Sequence, residues 1–408
     1  MGFQQGLSGL NAAARNLDVI GNNVANANTV GAKTARAEFA DVYANSLSGA
    51  SGNTVGIGVT VATVAQQFTQ GDIATTNNPL DVAINGAGFF EISQGGTKTY
   101  TRNGQFKIDR DGYIVNNDGK KLLGYTADAT GVIQPGRSVP LQLPTGGITP
   151  APTTKVALEM NLDARKPAIA GAPAIDFDDA KTYSSATSLT VFDPLGRDIA
   201  LTYYFQKSPS PPAPDNTWNV FATADGQTVA GTQAAPTPIT TLGFNADGTF
   251  NQSSSADFQL DGRTLGLDFS KSTQFGSAYG ITMLTQDGHT AGQLTSVSVD
   301  ASGIVNAKYS NGQSRPAGQI EIATFRNPQG LQPLGNNAWA STHASGEPVP
   351  GTPGAGNLGL LQAGALEESS VDLTGELVNM ITAQRVYQAN AQTIKTQDQV
   401  MQTLVNLR

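Results

Sequence analysis

The sequence predicts a multidomain fold, with a coiled-coil-like α-helical terminal layer formed by both chain ends and discontinuous all-β middle domains. Apolar residues near the N-terminus recur at alternating spacings of three and four, the pattern of a coiled-coil seam. The last 33 residues, 376–408, contain neither Gly nor Pro, which favours one long helix. Between the two ends, short β-prone stretches alternate with Asn-Gly and Asp-Gly dipeptides, as in β-hairpins.

The N-terminal helix carries a stripe of small and apolar residues: Leu7, Leu10, Ala14, Leu17, Gly21 and Val24. The helix is predicted to end where the segment GNNVANANTVGAK begins, because Asn favours caps and turns over helix interiors. Four side chains of this segment are expected to cap backbone groups where the chain leaves the helix: Asn22, Asn23, Asn26 and Asn28.

The C-terminal helix keeps the same alternation along its length: Leu377, Met380, Gln384, Tyr387, Ala391, Ile394, Asp398, Met401 and Val405. Ser369 and Asp372 resemble a capping box at its start. At 1.5 Å per residue the helix would be roughly 50 Å long. The polar Gln384 and Asp398 on the stripe are expected to fix the register between helices.

The two stripes need partners, because no third helix of comparable length is predicted between residues 50 and 360. They either pair with each other or bind other copies of the chain. The alternative is that both stripes are core positions of a globular bundle.

The middle of the chain is predicted to consist of strands and tight turns. The segment TYTRNGQFKIDRDGYIVNNDGKKLLGY places turns at Asn103, Asp111 and Asp118, and SLTVFDPLGRDIALTYYF is typical of a hairpin. The predicted parts are the N-terminal helix and extended linker (1–70), a β domain (71–147), an inserted outer β domain (148–286), the second part of the first β domain (287–362) and the C-terminal helix (363–408).

Composition argues against several classes of function. A formal net charge of −8 without runs of Lys or Arg disfavours nucleic acid and anionic membrane surfaces as partners. No apolar run approaches the roughly 18 residues of a membrane span. The first ten residues lack the basic and apolar blocks of a secretory signal, so no cleaved signal peptide is expected. Without Cys, neither a disulfide nor a thiolate metal site can form.

No residue pattern indicates catalysis, a metal or a cofactor. His289 and His343 are isolated among small residues and are interpreted as surface residues, since such chemistry needs convergent partners. The GAGNLG segment, 354–359, formally matches a dinucleotide fingerprint but follows no predicted strand. KIDRDGYIVNND is interpreted as two hairpin turns and not a calcium loop, because Lys107 occupies the first ligand position. We therefore expect a protein that is not an enzyme.

Three segments resemble one known family. SGLNAAARNLDVIGNNVANANTVGAK is similar to the N-terminal signature of bacterial flagellar rod and hook proteins, in which a heptad helix runs into an Asn-rich segment ending near Gly31 and Lys33. The family usually has an aromatic residue at the position of Ala32. NPLDVAINGAGFFEI with YTRNGQFKIDRDGYIVNNDGKKLLGY resembles the β domain of the family, and VDLTGELVNMITAQRVYQANAQTIKTQDQVMQTLVNL resembles its C-terminal helix.

Within that family, the inserted block favours a hook subunit. Distal rod members are much shorter and lack room for residues 148–286, whereas SLTVFDPLGRDIALTYYF and NTWNVFA resemble the outer domain of hook subunits. A distal rod protein with an inserted domain remains the alternative within the family. Outside it, the alternatives are a secreted β-rich adhesin or binding module and a flagellum-associated peptidoglycan hydrolase, which would need a binding face or a catalytic acid or nucleophile.

The resemblance implies a structural homo-oligomer. Many copies would polymerise through the terminal helices into a curved, flexible tube that works as a universal joint between the basal-body rod and the filament. The implied partners are the distal rod protein, the hook cap, the hook–filament junction proteins and the flagellar type III export apparatus, which would deliver the chain to the cell exterior. FADVY, with Phe39 and Tyr43, resembles a short export-gate motif, with core packing as an equal alternative.

Overall fold

The computed structural model describes residues 2–42, 56–128, 131–209, 216–251 and 256–406. Within these ranges, α-helix is confined to the two chain ends, α1 Gly2–Ala25 and α2 Leu373–Asn406. The predicted fold class, terminal helices around a β middle, is thereby confirmed. The chain divides into two compact units: unit 1 comprises Met1–Thr145, Thr295–Lys308 and Ser314–Arg408, and unit 2 comprises Gly146–Leu294 and Tyr309–Gln313.

Unit 1 begins with α1 and continues through short strands. These strands are β1 Ala35–Val42, β2 Gly58–Gln66, β3 Ile73–Thr75, β4 Val82–Asn85, β5 Phe89–Gln94, β6 Thr97–Thr101, β7 Lys107–Ile108, β8 Ile114–Val115, β9 Lys121–Thr126 and β10 Val139–Pro140. β1 and β2 form an antiparallel pair whose register runs from Ala35 opposite Gln66 to Val42 opposite Gly58.

Unit 2 follows as a β-sandwich. Its strands are β11 Lys155–Asn161, β12 Ser185–Phe192, β13 Asp198–Lys207, β14 Thr217–Ala224, β15 Gln227–Thr228, β16 Gly231–Thr232, β17 Ala235–Pro236, β18 Thr240–Gly243, β19 Ala256–Leu260, β20 Arg263–Asp268 and β21 Gly280–Gln286. The sheets β19-β20-β11-β21 and β12-β13-β14-β15, with β18 beside β14, share one hydrophobic core that includes Leu158, Tyr203, Trp218 and Leu267. The predicted hairpin is the antiparallel pair β12 and β13.

The chain then returns to unit 1 and ends in α2. The remaining strands are β22 Leu294–Val299, β23 Ile304–Tyr309, β24 Ser314–Ile320, β25 Ile322–Thr324, β26 Gln332–Gly335, β27 Ala338–Ala340, β28 Val349–Gly351, β29 Leu360–Ala363 and β30 Ala365–Glu367, with a 3₁₀ turn at Pro328–Gly330.

The main sheet of unit 1 has two buried faces. Its central path is β22-β23-β24-β9-β5-β6-β27-β26. Phe90 and Ile92 of β5 join the larger aliphatic core, and the neighbouring Phe89 joins an aromatic cluster with Tyr100 and Trp339. Successive side chains of a strand point to opposite faces, so one short strand contributes to both cores.

Two of the three predicted turns are confirmed. Gly112 and Gly119 adopt φ of +85° and +76°, which glycine accommodates without steric cost. The Asp109 carboxylate accepts the Asp111 and Tyr113 amides at 2.9 and 2.8 Å, so this segment is a hairpin turn, as predicted. The predicted turn at Asn103 is wrong. No hairpin turn is formed there: the Asn103 side-chain oxygen accepts the Gln105 amide at 3.0 Å, and Gly104 packs against the Val82 backbone, where a Cβ would collide with the Val82 carbonyl oxygen.

Candidate functional site

The two terminal helices of unit 1 pack antiparallel. Gly6 lies against Ile394 and Gly9 against Asn390, while the Asn23 amide donates to the Glu376 carboxylate at 3.2 Å. Early residues of α1 therefore meet late residues of α2. With Gly6 at Ile394 and Asn23 at Glu376, the start of α1 lies about two turns before the end of α2, so the last two turns of α2 extend beyond α1.

Small residues form the contact face of α1. A Cβ on Gly6 would lie 3.0 Å from Ile394 Cγ1, and one on Gly9 would lie 2.8 Å from Asn390 Oδ1. Ala13 and Ile20 continue this buried face at helical spacing. The absence of side-chain bulk at Gly6, Gly9 and Ala13 lets the two helix backbones approach closely along the first half of α1.

The predicted stripe on α1 is displaced by one residue from this contact face. Positions 6, 9, 13, 16, 20 and 23 follow the face turned inward, whereas Leu7, Leu10, Ala14, Leu17, Gly21 and Val24 each come one residue later. One residue corresponds to about 100° around a helix. Leu7 is accordingly 44% exposed, and Leu10, Ala14, Leu17 and Val24 are half-buried.

The predicted stripe on α2 is also only partly covered. Met380, Ala391 and Ile394 are half-buried, whereas Leu377, Tyr387, Met401 and Val405 are exposed. Gln384 and Asp398 are exposed as well, and Asp398 accepts the Gln402 amide at 3.1 Å within the same helix. Their role in fixing register between helices stays a prediction. The stripes pair with each other only along one edge, which leaves apolar side chains facing outward.

An apolar groove of about 610 Å³ lies between the helices and the β1–β2 pair. Its lining includes Ala12, Phe39, Val59, Ala383 and Val386. Phe39 is 43% exposed, so core packing, the alternative interpretation of this residue, is wrong. Tyr43, the other residue of the predicted export motif, lies outside the described residues.

The predicted end of α1 is also wrong. The helix continues through Asn22 and Asn23 to Ala25, and Asn26 then caps it by donating its side-chain amide to the Asn22 carbonyl at 2.9 Å. Asn23 is 3% exposed and makes a paired contact with Ala35: its Nδ2 donates to the Ala35 carbonyl at 2.8 Å, and its Oδ1 accepts the Ala35 amide at 2.9 Å. Asn28 is exposed. The tertiary contacts of Asn23 thus override the local preference of Asn for caps and turns over helix interiors.

Beyond this turn, Lys33 enters a buried ion cluster. The Glu367 carboxylate accepts Lys33 Nζ at 2.6 Å through Oε1 and Arg102 Nη1 at 3.0 Å through Oε2. Lys33 also donates to the Thr69 carbonyl at 2.6 Å, and Arg102 to the Gly86 carbonyl at 2.9 Å. These contacts join the exit of α1, the main sheet and the end of β30.

Burial sets the electrostatics of this cluster. The side chains of Lys33 and Glu367 are fully buried, and that of Arg102 is 5% exposed. Burial lowers the pKa of Lys33 and of Arg102, and the Glu367 carboxylate opposes both shifts. Two buried cations therefore depend on one carboxylate.

Gly31 leads the chain into the cluster. It adopts φ of +70°, its amide donates to the Glu367 carbonyl at 2.9 Å, and a Cβ there would lie 2.8 Å from the Asn103 nitrogen. Only glycine satisfies both the backbone conformation and the space.

The start of α2 differs from the predicted capping box. Asp372 is the capping residue, and its Oδ1 accepts the Thr374 amide at 3.0 Å. Ser369 lies before the helix, where its hydroxyl accepts the Val371 amide at 3.3 Å. The neighbouring Ser370 accepts two hydrogen bonds from Thr34: the Thr34 amide donates to the Ser370 hydroxyl at 3.1 Å, and the Thr34 hydroxyl donates to the Ser370 carbonyl at 2.9 Å. These bonds tie the segments flanking both helices together.

The remaining candidate residues are placed as follows. His289 is 6% exposed, so its prediction as a surface residue is wrong, whereas His343 is exposed. The GAGNLG segment is a loop between β28 and β29 with no helix following it.

Across the described ranges, no group of three or more Asp, Glu or His side chains is arranged to hold a metal ion. None of the described helices has the length and apolar character needed to span a bilayer.

Comparisons with known proteins match this arrangement segment by segment. Family models match residues 3–33 (flagella basal body rod protein), 83–161 (flagellar hook protein FlgE/F/G D1 domain), 161–289 (flagellar basal body protein FlaE D2 domain) and 362–407 (flagellar basal body rod FlgEFG protein, C-terminal). The chain is 43% identical to the flagellar hook protein FlgE of Salmonella typhimurium over 418 residues, which covers 100% of both chains. The chain belongs to the flagellar hook protein family.

Other members of the hook protein family agree. The Escherichia coli hook protein is 42% identical over 421 residues, covering 100% of both chains, and that of Borreliella burgdorferi is 33% identical over 443 residues, covering 99% of this chain and 98% of the relative. The crystal structure of the Helicobacter pylori flagellar hook protein FlgE2 has the same fold, with a TM-score of 0.54 at 17% identity, over 72% of this chain and 100% of that one.

The sequence did not reveal the partners of Lys33 in this hook-family chain. Glu367 lies 334 residues from Lys33 and 265 residues from Arg102.

The small-residue face of α1 was detectable in principle, because Gly6, Gly9 and Ala13 show the same three-and-four spacing as the apolar stripe.

We expect Gly6→Val to destabilise the packing of α1 on α2. The added side chain would push against Ile394, and overpacking of this kind costs about 1–3 kcal/mol. Gly21→Val is the matched control, since a Cβ at Gly21 meets no atom within 4 Å. Denaturant unfolding of the helices, followed by far-UV circular dichroism, measures the difference; equal midpoints for the two variants would contradict the close contact.

We expect Glu367→Gln to lower the free energy of unfolding of unit 1 by about 3–5 kcal/mol, because it leaves two buried cations without their anion. Glu368→Gln changes the exposed neighbouring residue and serves as the control. Calorimetric unfolding of both variants measures the effect. An unchanged melting temperature for Glu367→Gln would show that the cluster contributes nothing to stability.

Proposed function

We propose that this chain is the subunit of a flagellar hook that polymerises through its terminal helices into a curved, flexible tube, the universal joint between the basal-body rod and the filament. The full-length similarity to hook proteins, including residues 161–289, favours this function over a distal rod protein with an insertion. The observation that carries the proposal is the outward apolar stripe on α1 and α2, which a single chain leaves partly exposed.

The stripe suits contacts between copies of the chain. Leu7, Leu377, Met401 and Val405 are each at least 44% exposed, and Met401 and Val405 lie on the part of α2 beyond the start of α1. Burying such side chains against neighbouring helices contributes roughly 1.5–3 kcal/mol each. Repeated along a helical assembly, these contacts would stabilise the polymer.

The predicted domains would occupy different layers of the tube. The helical ends, 1–70 and 363–408, would form the inner layer of the tube, and the β domain and the inserted block 148–286 would form the layers around it. Contacts between weakly charged β surfaces exchange partners at low cost, which suits a tube that bends as it turns.

We further propose the partners and route of the chain. The tube would meet the distal rod protein at its base and the hook–filament junction proteins at its far end, and the hook cap would guide its growth. The flagellar type III export apparatus would deliver each subunit to the extracellular hook without a cleaved signal peptide. We propose a structural role and not an enzymatic one.

Leu377→Glu and Met401→Glu are each expected to raise the critical concentration for tube formation about tenfold or more, which corresponds to about 1.4 kcal/mol per subunit. Because both side chains are exposed in the single chain, its own unfolding should change little. Gln392→Glu, an exposed polar position of α2, is the control. Sedimentation and negative-stain electron microscopy of the assembled protein measure the outcome. Normal curved tubes from both variants would remove the stripe as the assembly surface, and straight rods from the unaltered chain would favour a rod subunit.

Phe39→Ala is expected to lower export severalfold if FADVY is read by the export gate. Phe275→Ala, which removes another exposed aromatic side chain in unit 2, is the control. The ratio of secreted to cytoplasmic protein in a flagellated strain measures export. Normal secretion of Phe39→Ala would eliminate this motif.

A further inference from the structure

Two glutamates lie buried in the main sheet of unit 1, apart from the helices. Glu91 belongs to β5 and is fully buried, and Glu321 lies between β24 and β25 with 1% of its surface exposed. The antiparallel register that pairs Ile322 with Phe90 brings Glu321 to the position across from Glu91. Both residues alternate with side chains of the aliphatic core and therefore point to the face that carries the aromatic cluster.

Each carboxyl group has a donor on one oxygen and none on the other. Lys98 Nζ donates to Glu91 Oε2 at 2.9 Å, and the Tyr125 hydroxyl donates to Glu321 Oε1 at 3.0 Å. Glu91 Oε1 and Glu321 Oε2 are buried without a hydrogen-bond partner among the described residues. A buried hydrogen-bond acceptor left unpaired costs free energy. Two such acceptors on residues that lie opposite each other in the sheet need a common explanation.

The charges around the pair do not balance if both glutamates are ionised. Lys98 of β6 supplies one positive charge and is 44% exposed. The other titratable groups that face the pair are Tyr100 of β6 and Tyr125 of β9, with Glu347 near Tyr100. Two carboxylates across from each other in a low-dielectric site repel strongly, and one of them then retains its proton.

We propose that Glu91 and Glu321 share one bound proton in the folded protein at neutral pH, held as an O–H bond of one carboxyl that donates to the free oxygen of the other. This single proton satisfies Glu91 Oε1 and Glu321 Oε2 together. It also leaves one negative charge beside Lys98, so the buried group is neutral as a whole.

The surroundings of Glu91 and Tyr125 agree with this arrangement. Burial raises the pKa of Glu91, Lys98 opposes the shift, and the Glu321 carboxylate adds to it. Burial and the same carboxylate raise the pKa of Tyr125 to about 12, so its hydroxyl remains a donor. Because the pKa of Glu91 is raised on folding, its contribution to stability is fully present below its ordinary value of 4.5 and is lost as pH rises through the folded value.

The test follows the unfolding of the full chain between pH 5 and pH 9 by calorimetry, with hydrogen exchange assigning the transition of unit 1. We expect the melting temperature of unit 1 to fall as pH rises, by roughly 5 °C over this range. Glu91→Gln and Glu321→Gln should each reduce this fall to less than half, because an amide can donate to the remaining carboxylate without binding a proton. Glu347→Gln, which removes an exposed carboxylate near Tyr100, should keep the full slope.

Infrared spectroscopy of the unaltered chain at neutral pH provides a second measurement that does not depend on how the variants fold. A protonated carboxyl band should be present and should disappear in both Gln variants. The proposal is overturned if the band is absent, or if the slope is the same in all chains. It is also overturned if exchanging sodium for a bulky organic cation at constant ionic strength shifts the melting temperature of the unaltered chain alone, which would indicate a bound metal cation. None of these readouts depends on polymerisation, so the result is separable from the hook function.

Discussion

The Glu367 carboxylate is the constraint on which the arrangement of unit 1 depends. It binds Lys33, which follows the exit of α1, and Arg102, which follows β6, and it lies five residues before the cap of α2. The two helices enter and leave the β body at this point. Because burial of both cations is costly without the anion, the three segments are held together as one unit and not by independent surface contacts.

The close approach of the helices follows from this junction and determines which surface remains outside. Asn23 is held against Ala35 and Glu376 at one end, and Gly6 and Gly9 allow α2 to approach α1 at the other. The helix pair is thereby formed by the small-residue face of α1. The larger apolar residues, one position further along, stay at the edge of the contact and are available for burial between copies of the chain.

Much of the architecture was predictable from local patterns. Helical periodicity at both ends, hairpin signals such as Asp111-Gly112, and the alternation of strands in between depend on short-range geometry, which neighbouring residues specify. Errors occurred where distant contacts opposed a local preference. Asn22 and Asn23 continue α1 because the buried Asn23 side chain is paired with the Ala35 backbone, and Gly104 is required by the Val82 backbone and not by a turn. His289 is buried although its sequence neighbours are typical of a loop.

The sequence by itself determined the two terminal helices, the β middle and the residues able to form an apolar stripe, since a repeat of three and four places side chains on one side of any helix. Only the tertiary structure decided which of two adjacent faces of α1 packs inward, because the small and the large residues share the same spacing. It also decided the buried clusters around Glu367 and Glu91, whose members are distant in the chain. Charge and burial there depend on where strands meet in space, and no local pattern specifies that.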